Sequence, residues 1–237
     1  FTNIIDTMKN LVVLTGAGIS AESGISTFRD SGGLWEQYRI EDVATPEGWA
    51  RDPKLVTDFY NQRRKQLLEV EPNYGHIALV ELEKYFNVYV VTQNVDNLHE
   101  RAGSKNIVHL HGELTKVRSE RFDHLIYELT PDRYEVKIGD KCEKGFQLRP
   151  HIVWFGEAVP MLEEAVRLAQ KADIFVVVGT SLNVYPAASL VHYVQPEVPV
   201  YVVDPNSVAI NDSRWHYIRL GASEGMKEFI KQIQPYI

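Results

Sequence analysis

Residues 11–21 read Leu-Val-Val-Leu-Thr-Gly-Ala-Gly-Ile-Ser-Ala. Their first half is an apolar, β-branched run without polar alternation, which is typical of a parallel strand buried on both faces. The second half, Gly16-Ala17-Gly18-Ile19-Ser20-Ala21, has the spacing of a dinucleotide-binding turn that opens a helix. Glycines in such a turn let the backbone approach a pyrophosphate, whose charge the helix N-terminus favours. A tight turn with a purely structural role is the alternative.

The rest of the chain repeats this order of strand and helix. Similar apolar runs predict strands at 88–92, 107–110, 174–179 and 198–203, and helical patterns occupy 53–70, 76–86, 161–172 and 224–234. The alternation predicts an α/β fold, a Rossmann-like doubly wound parallel sheet. Two stretches break the rhythm. We therefore expect a main nucleotide-binding domain of residues 1–21, 71–115 and 148–237, and a small module of residues 22–70 and 116–147.

Polar clusters follow several of these strands. The apolar runs lead into Gln93-Asn94-Val95-Asp96, His109-Leu110-His111-Gly112 and Gly179-Thr180-Ser181. Ligands of open α/β sheets bind beyond the carboxyl ends of the strands. We therefore expect these clusters and the glycine turn to meet in one crevice.

The sequence beyond the glycine turn argues against a dehydrogenase. Such an enzyme has a second strand that ends in an acidic residue about 20 positions later, where it holds a ribose. Residues 31–38 read Ser-Gly-Gly-Leu-Trp-Glu-Gln-Tyr, which is not a strand pattern. A nucleotide ligand stays plausible, whereas a Rossmann oxidoreductase is an alternative that has lost its support.

Six motifs, taken in order along nearly the whole chain, resemble the signatures of the sirtuin family: Gly16-Ala17-Gly18-Ile19-Ser20, Gly24-Ile25-Ser26-Thr27-Phe28-Arg29, Thr92-Gln93-Asn94-Val95-Asp96, His109-Leu110-His111-Gly112-Glu113, Pro150-His151-Ile152-Val153-Trp154-Phe155-Gly156-Glu157 and Gly179-Thr180-Ser181. The resemblance implies an NAD-dependent protein lysine deacylase that releases nicotinamide and O-acyl-ADP-ribose. A sirtuin-like ADP-ribosyltransferase or an NAD sensor would share these motifs and is the alternative.

The resemblance also implies roles for single residues. His111 would be the general base, a task that suits a histidine because its ordinary pKa of about 6.5 lets it accept a proton near neutral pH. His109 is the competing candidate, since alternate residues of a strand share a face, and only the resemblance selects His111. Asn94 and Asp96 would act in catalysis by hydrogen-bonding the nicotinamide carboxamide and holding the ring away from its ground-state plane.

The implied ligand contacts cover the whole crevice. The cofactor site would consist of Gly16, Ala17, Gly18, Ser20, Phe28, Arg29, Gln93, Asn94, Asp96, Gly179, Thr180, Ser181, Asp204 and Asn206. Phe28 and Arg29 lie in the family's mobile cofactor loop. The substrate peptide would lie as an added strand against Val153, Phe155, Gly156 and Glu157.

The chain departs from the family in its cysteines. Most sirtuins bind a structural zinc through four cysteines, but this chain has only Cys142, and Val117-Arg118-Ser119-Glu120-Arg121 replaces the earlier pair. A tetrahedral thiolate site needs four ligands, so we expect no zinc or other metal. Seven apolar residues would form a small core instead: Phe122, Leu125, Ile126, Tyr127, Tyr134, Val136 and Phe146.

The helix predicted at 53–70 carries a clue to the substrate. Its apolar stripe of Val56, Phe59, Tyr60 and Leu67 has Arg63 in the middle, while Lys54, Asp58, Asn61 and Lys65 fall on the far side. Arg63 could pack its stem on the core or pair with an internal carboxylate. Alternatively, Tyr60 and Arg63 bind an acidic acyl group, with Ala44 leaving room. The Tyr-x-x-Arg spacing resembles that of sirtuins that remove succinyl and malonyl groups and often retain deacetylase activity.

Composition limits the partners. With 237 residues, a net charge of −7 and a pI near 5.6, the chain does not resemble a phosphate-backbone binder, so we expect no nucleic acid partner. The apolar runs are too short to cross a bilayer, and the first residues lack a signal-peptide pattern. We expect a monomer in the cytoplasm, with which a single cysteine is consistent.

Overall fold

The computed structural model describes residues 8–25 and 37–237. In chain order the strands are β1 (Asn10–Thr15), β2 (Asn87–Thr92), β3 (Ile107–His109), β4 (Gly112–Ser119), β5 (Ile126–Glu128), β6 (Leu148–Ile152), β7 (Ile174–Val178), β8 (Val200–Val203) and β9 (His216–Ile218). The helices are α1 (Ala17–Ala21), α2 (Ile40–Val43), α3 (Pro46–Arg51), α4 (Pro53–Leu68), α5 (Tyr74–Glu81), α6 (Leu98–Ala102), α7 (Leu162–Gln170) and α8 (Ala222–Gln232).

A six-stranded parallel sheet forms the centre of the fold, in the order β3-β2-β1-β7-β8-β9. Successive side chains of β1 point to opposite faces, because the side-chain period of a strand is two. Leu11 and Val13 pack with Met226 and Phe229 of α8 on one face, whereas Leu14 packs against α7 on the other. The expected α/β fold with a buried parallel sheet is therefore confirmed.

A second, antiparallel sheet of three strands has the order β5-β4-β6. Helix α4 joins this sheet through Arg64, whose Nε donates to the Leu114 carbonyl oxygen at 2.8 Å. Arg64 is only 3% exposed, so it is a buried cross-link that the sequence pattern did not single out. A third core cluster forms between α4 and this sheet around Phe59, Tyr60 and Trp154. The exact division of the chain into two modules stays a prediction.

One strand boundary was wrong, and one anchoring contact was not anticipated. Asn61, on the far side of α4 from the apolar stripe, exchanges two hydrogen bonds with the backbone of Val136, at 2.8 and 2.9 Å. These bonds fasten α4 to the segment that follows β5. The strand expected at 107–110 ends at His109, because Leu110 and His111 turn the chain from β3 into β4.

The region where the family binds zinc is held differently here. The Ser119 hydroxyl accepts hydrogen bonds from the backbone N–H groups of Arg121 and Phe122, at 3.2 and 3.1 Å. Although desolvation raises the pKa of Cys142, hydrogen bonds from Ser119 and from nearby backbone amides outweigh it and lower that pKa. Among the described residues no group of three or more His, Cys, Asp or Glu is arranged to hold a metal ion. One thiol and a hydroxyl do not fit the zinc site of the family.

The expected small apolar core in this region is wrong. Phe122 and Phe146 do meet edge to face, with ring centroids 5.5 Å apart. However, Phe146 is 39% exposed and Ile126 is 44% exposed, so the cluster lies at the surface. Lys144 places its ammonium 4.5 Å from the centroid of the Phe122 ring, which adds a cation–π contact.

Within the described ranges, no helix is both long and apolar enough to span a membrane.

The first testable prediction is that the purified protein holds no stoichiometric zinc. Only one of the four thiolates that such a site requires is present. Elemental analysis should find well below one zinc per chain, and a strong chelator should leave the melting temperature unchanged. One tightly held metal per chain, or a chelator-dependent loss of stability, would contradict this expectation.

Candidate functional site

One cavity of about 580 Å³ runs along the carboxyl edge of the parallel sheet and continues between α4 and the small sheet. It brings together twenty of the predicted site residues: Gly16, Ala17, Gly18, Ser20, Ala44, Tyr60, Arg63, Gln93, Asn94, Asp96, His111, Val153, Phe155, Gly156, Glu157, Gly179, Thr180, Ser181, Asp204 and Asn206. Phe28 and Arg29 lie outside the described residues. The role of each predicted site residue, whether or not it lies in the described ranges, stays a prediction.

The glycine turn forms the floor of the cavity because it packs directly on the loop after β7. A Cβ atom on Gly16 would lie 2.6 Å from Thr180 Cβ, and one on Gly18 would lie 2.7 Å from Gly179 Cα. The Gly18 N–H donates to the Gly179 carbonyl oxygen at 2.8 Å. Gly179 itself has a φ of +69°, which favours glycine. The turn is therefore structurally tight and also lines the ligand cavity, so the two interpretations of the glycines are compatible.

Two amide side chains that follow β2 are held by the glycine turn and by the loop after β7. Asn94 donates from Nδ2 to the Gly16 carbonyl oxygen at 2.9 Å, and Gln93 donates from Nε2 to the Thr180 hydroxyl at 3.1 Å. The Asn94 bond joins the ends of the neighbouring strands β2 and β1, whereas the Gln93 bond passes over the end of β1 to the loop after β7. The amide groups are consequently held in place before any ligand arrives, which limits the entropy that binding would cost.

A buried polar chain orients the Asp96 carboxylate. The Asn73 backbone N–H donates to His76 Nδ1 at 3.1 Å, so the neutral His76 ring carries its proton on Nε2 and faces the Ser20 hydroxyl at 3.5 Å. Ser20 donates to Asp96 Oδ2 at 2.8 Å, and the Leu98 N–H donates to Oδ1 at 3.0 Å. Burial raises the pKa of Asp96, although these hydrogen bonds oppose the change. Each carboxylate oxygen keeps capacity for a ligand donor.

The structure distinguishes the two candidate histidines. Nδ1 of His111 lies 3.2 Å from the Gln93 carbonyl oxygen. A carbonyl oxygen can only accept a hydrogen bond, so Nδ1 carries the proton and Nε2 is the basic atom. Burial lowers the pKa of His111 below 6.5, which keeps the ring neutral at physiological pH. His111 lines the cavity.

His109, by contrast, has both ring nitrogens engaged. Nδ1 lies 3.0 Å from the Asn94 carbonyl oxygen, and Nε2 lies 2.7 Å from Glu100 Oε1. Desolvation by itself lowers the pKa of His109, but the hydrogen bond and charge of Glu100, with the charge of Glu113, raise it overall. Because both ring nitrogens of His109 already contact acceptors within the protein, neither is free to take a proton from a ligand.

The far end of the cavity is formed by α4 and the segment after β6. The Arg63 guanidinium carbon lies 5.7 Å from the ring centroids of both Phe59 and Tyr60. Burial lowers the pKa of Arg63, while electrostatic interactions with Tyr60 and with the Asp96 carboxylate oppose this change. The guanidinium is the most basic side-chain group and stays protonated in proteins at neutral pH. Ala44 is also part of the wall.

The segment 153–157 is a turn and not a strand, with Gly156 at a φ of +90°. Val153 N–H donates to the His111 carbonyl oxygen at 2.8 Å, and Phe155 N–H donates to that of Ala44 at 3.0 Å. Trp154 N–H donates to Glu157 Oε1 at 2.8 Å. These amides are engaged within the protein, so a peptide strand added here would need other backbone groups of the segment. The turn connects the histidine to the wall that contains Ala44.

Sequence reasoning missed several residues of the cavity. Glu22 lines it and accepts hydrogen bonds from the N–H and hydroxyl groups of Ser223 at the start of α8. Trp154 stands in a quoted motif but had no assigned role, and Tyr185 was not singled out. The position of Glu22, four residues beyond the last glycine of the turn, could have identified it as a cavity residue. The position of Trp154 in the cavity could be identified only from the tertiary structure.

Fold and cavity together define an α/β protein with a nucleotide-sized cavity beside a neutral, partly buried histidine. The Sir2 family model matches residues 16–186. A relative from Bacteroides thetaiotaomicron, named "NAD-dependent protein deacylase", is 68% identical over 232 residues, covering 96% of this chain and 99% of the relative. The chain belongs to the Sir2, or sirtuin, family.

Two further comparisons agree with this membership. A Helicobacter pylori protein, also named "NAD-dependent protein deacylase", is 54% identical over 218 residues, covering 88% of this chain and 94% of the relative. The crystal structure of a Sir2 homologue in complex with NAD superposes with a TM-score of 0.86 at 41% identity, covering 97% of this chain and 91% of that one.

The second prediction is that the two histidines titrate on opposite sides of pH 6.5. Burial disfavours the charged form of His111, whereas Glu100 stabilises that of His109. NMR titration of labelled histidine, assigned with His111→Gln and His109→Gln variants, should give a pKa below 6.5 for His111 and above it for His109. A reversed order, or two equal values, would contradict the distinction between a neutral His111 and a His109 whose charged form Glu100 stabilises.

Proposed function

We propose that this chain, an NAD-dependent protein deacylase like its relatives, removes acidic acyl groups such as succinyl and malonyl from lysine side chains and also removes acetyl groups. The names of the relatives support the deacylase activity. The observation that supports the acidic acyl preference is the presence of Tyr60 and Arg63 on one wall of the cavity that also contains His111.

The cavity suits NAD in shape and chemistry. Its floor at Gly16 and Gly18 is bare backbone, and polar groups of Asn94 and Asp96 stand nearby. NAD, when bound, supplies a leaving nicotinamide and a ribose that accepts the acyl group. Asn94 and Asp96 would bind the carboxamide through amide and carboxylate groups. Thr180 and Ser181, with Asp204 and Asn206, would hold the remainder of the cofactor.

His111 would move the proton on which acyl transfer depends. Its Nε2 accepts a proton from a ligand hydroxyl, while the Nδ1–H bond to Gln93 fixes the ring orientation. Because burial lowers the pKa of His111, the ring begins the reaction unprotonated. The surrounding protein side chains exclude bulk water, which strengthens the interactions inside the site.

The end of the cavity that contains Arg63 would recognise a negative charge on the acyl group. Arg63 lies against the faces of two aromatic rings, which hold its guanidinium at the cavity wall. Desolvation raises the pKa of Tyr60, so its hydroxyl stays protonated and can donate. A carboxylate accepts from both groups, whereas the terminal methyl of an acetyl group accepts from neither. Ala44 leaves room for the longer acyl chain.

The third prediction concerns His111→Ala. Loss of a general base lowers rates by roughly 10²- to 10⁴-fold, so deacylation should fall by that amount. Circular dichroism and NAD binding by calorimetry should remain close to those of the unchanged protein. Near-normal turnover by a folded variant would remove His111 from the role. Mass spectrometry of the products also separates acyl transfer to ADP-ribose from ADP-ribosylation of the peptide.

The fourth prediction concerns Arg63→Met. A hydrogen bond to a charged group contributes about 1.5–3 kcal/mol, so kcat/KM for a succinyl peptide should fall roughly 10- to 150-fold. The loss should appear mainly in KM, because the contact is remote from the reacting carbon. The acetyl peptide of the same sequence should be much less affected, or improved.

Lys65→Met is the matched control, since Lys65 is exposed on the same helix. It removes a positive charge without changing the cavity wall, and both peptides should react as before. Equal losses on succinyl and acetyl peptides in Arg63→Met would make Arg63 a structural residue and would overturn the proposed acyl preference.

A further inference from the structure

The Tyr60 hydroxyl accepts a hydrogen bond from Trp154, and the chemistry of this donor bears on what the pocket can recognise. Trp154 Nε1 lies 3.0 Å from Tyr60 Oη, and both side chains are almost fully buried, at 2% and 1% exposure. Among the described residues, only Trp154 hydrogen-bonds this hydroxyl. The indole N–H can donate and cannot accept, so the phenol oxygen is the acceptor in this bond.

This polarity fixes the direction of the Tyr60 proton. A phenol has one proton to donate, and that proton cannot point toward another donor. Tyr60 is also part of the cavity wall. The proton is therefore available to an acceptor that enters the cavity from the side of Arg63, one turn further along α4.

We infer that Trp154 is a specificity-determining residue: its indole N–H makes the Tyr60 hydroxyl an obligate donor, so the acyl pocket favours groups that end in a hydrogen-bond acceptor. This inference rests on the proposed acidic acyl preference and deepens it. Both polar groups of the pocket then donate, since a guanidinium has no acceptor either. A carboxylate can accept from both groups, whereas a neutral alkyl chain of equal length accepts from neither and leaves the Tyr60 proton without an acceptor from the ligand.

The orientation of the Trp154 ring is fixed by its surroundings. The Arg149 guanidinium carbon lies 3.6 Å from the ring centroid, and Arg149 donates to both oxygens of Glu157 at 2.9 and 3.0 Å. Glu157 also accepts from the Trp154 backbone N–H at 2.8 Å. Trp154 is thus clamped through its ring and through its backbone. Its N–H direction would persist when a substrate enters.

The test compares succinyl with butyryl and acetyl peptides of one sequence in the presence of NAD. Trp154→Phe removes the N–H and keeps an aromatic ring. Loss of one hydrogen bond changes an equilibrium or rate constant roughly 2- to 12-fold. The ratio of kcat/KM for the succinyl peptide to that for the butyryl peptide should fall by this factor, mainly because KM for the succinyl peptide rises. Site-specific replacement of Trp154 by benzothienylalanine, which has the same shape and lacks the N–H, should give the same result without disturbing packing.

A double-mutant cycle separates this role from a structural one. In a Tyr60→Phe background there is no hydroxyl to orient, so the Trp154 substitutions should leave the succinyl-to-butyryl ratio unchanged. If the two effects multiply independently, the inference is overturned. Trp49→Phe is the matched control, because Trp49 also packs on Trp154 but donates its N–H to Glu120 at 3.1 Å. It should leave the ratio intact.

The outcomes also distinguish this inference from the proposed function. If Arg63→Met leaves the succinyl preference unchanged, or if the unchanged protein does not prefer succinyl over butyryl, the acidic acyl assignment fails and the inference fails with it. If Arg63→Met removes the preference while the Trp154 substitutions leave it unchanged, the inference alone fails.

Discussion

The contact between the backbones of Gly16, Gly18 and Gly179 is the constraint on which the rest of this structure depends. It brings the ends of β1 and β7 closer than any side chain would permit. The two loops then present carbonyl and hydroxyl groups to which Asn94 and Gln93 are bonded. A Cβ atom at any of the three glycines would separate the central strands at their carboxyl ends, where the cavity begins. Strand packing and ligand cavity are consequently set by the same few atoms.

The sequence predicted the parallel sheet well because its central strands are buried on both faces and read as continuous apolar runs. The runs in β1, β2 and β7 match the observed strands within one residue at each end. By contrast, β4 and β5 contain charged residues and are stabilised by antiparallel pairing with each other or with β6. The pairing of β4 with β6 joins residues far apart in the chain, and β5 is only three residues long, so no local pattern identifies either strand. The strand β9 was missed because three residues are too few to show a pattern.

The candidate site shows the same limit at the level of single atoms. The motifs named the residues that line the cavity, but not which histidine is the base, because this depends on a carbonyl of Gln93 and a carboxylate of Glu100. Helical periodicity placed Tyr60 and Arg63 on one face and Asn61 on the far side, but it could not identify the partner of Asn61, because Val136 lies 75 residues away. Side-chain identity could be inferred from sequence, and hydrogen-bond partners required the folded chain.

Helix α4 carries two sets of contacts on adjacent faces of one turn. Asn61 fastens it to the segment after β5 and Arg64 fastens it to the small sheet, while Tyr60 and Arg63 face the cavity. Both anchors bond backbone groups, which substitutions on the cavity side do not remove. In evolutionary terms, substitutions on the cavity side can accumulate without loss of the attachment, and the cofactor contacts on the distant strand ends need not change with them. Side-chain variation on this wall of the cavity is therefore compatible with one unchanged attachment of the helix.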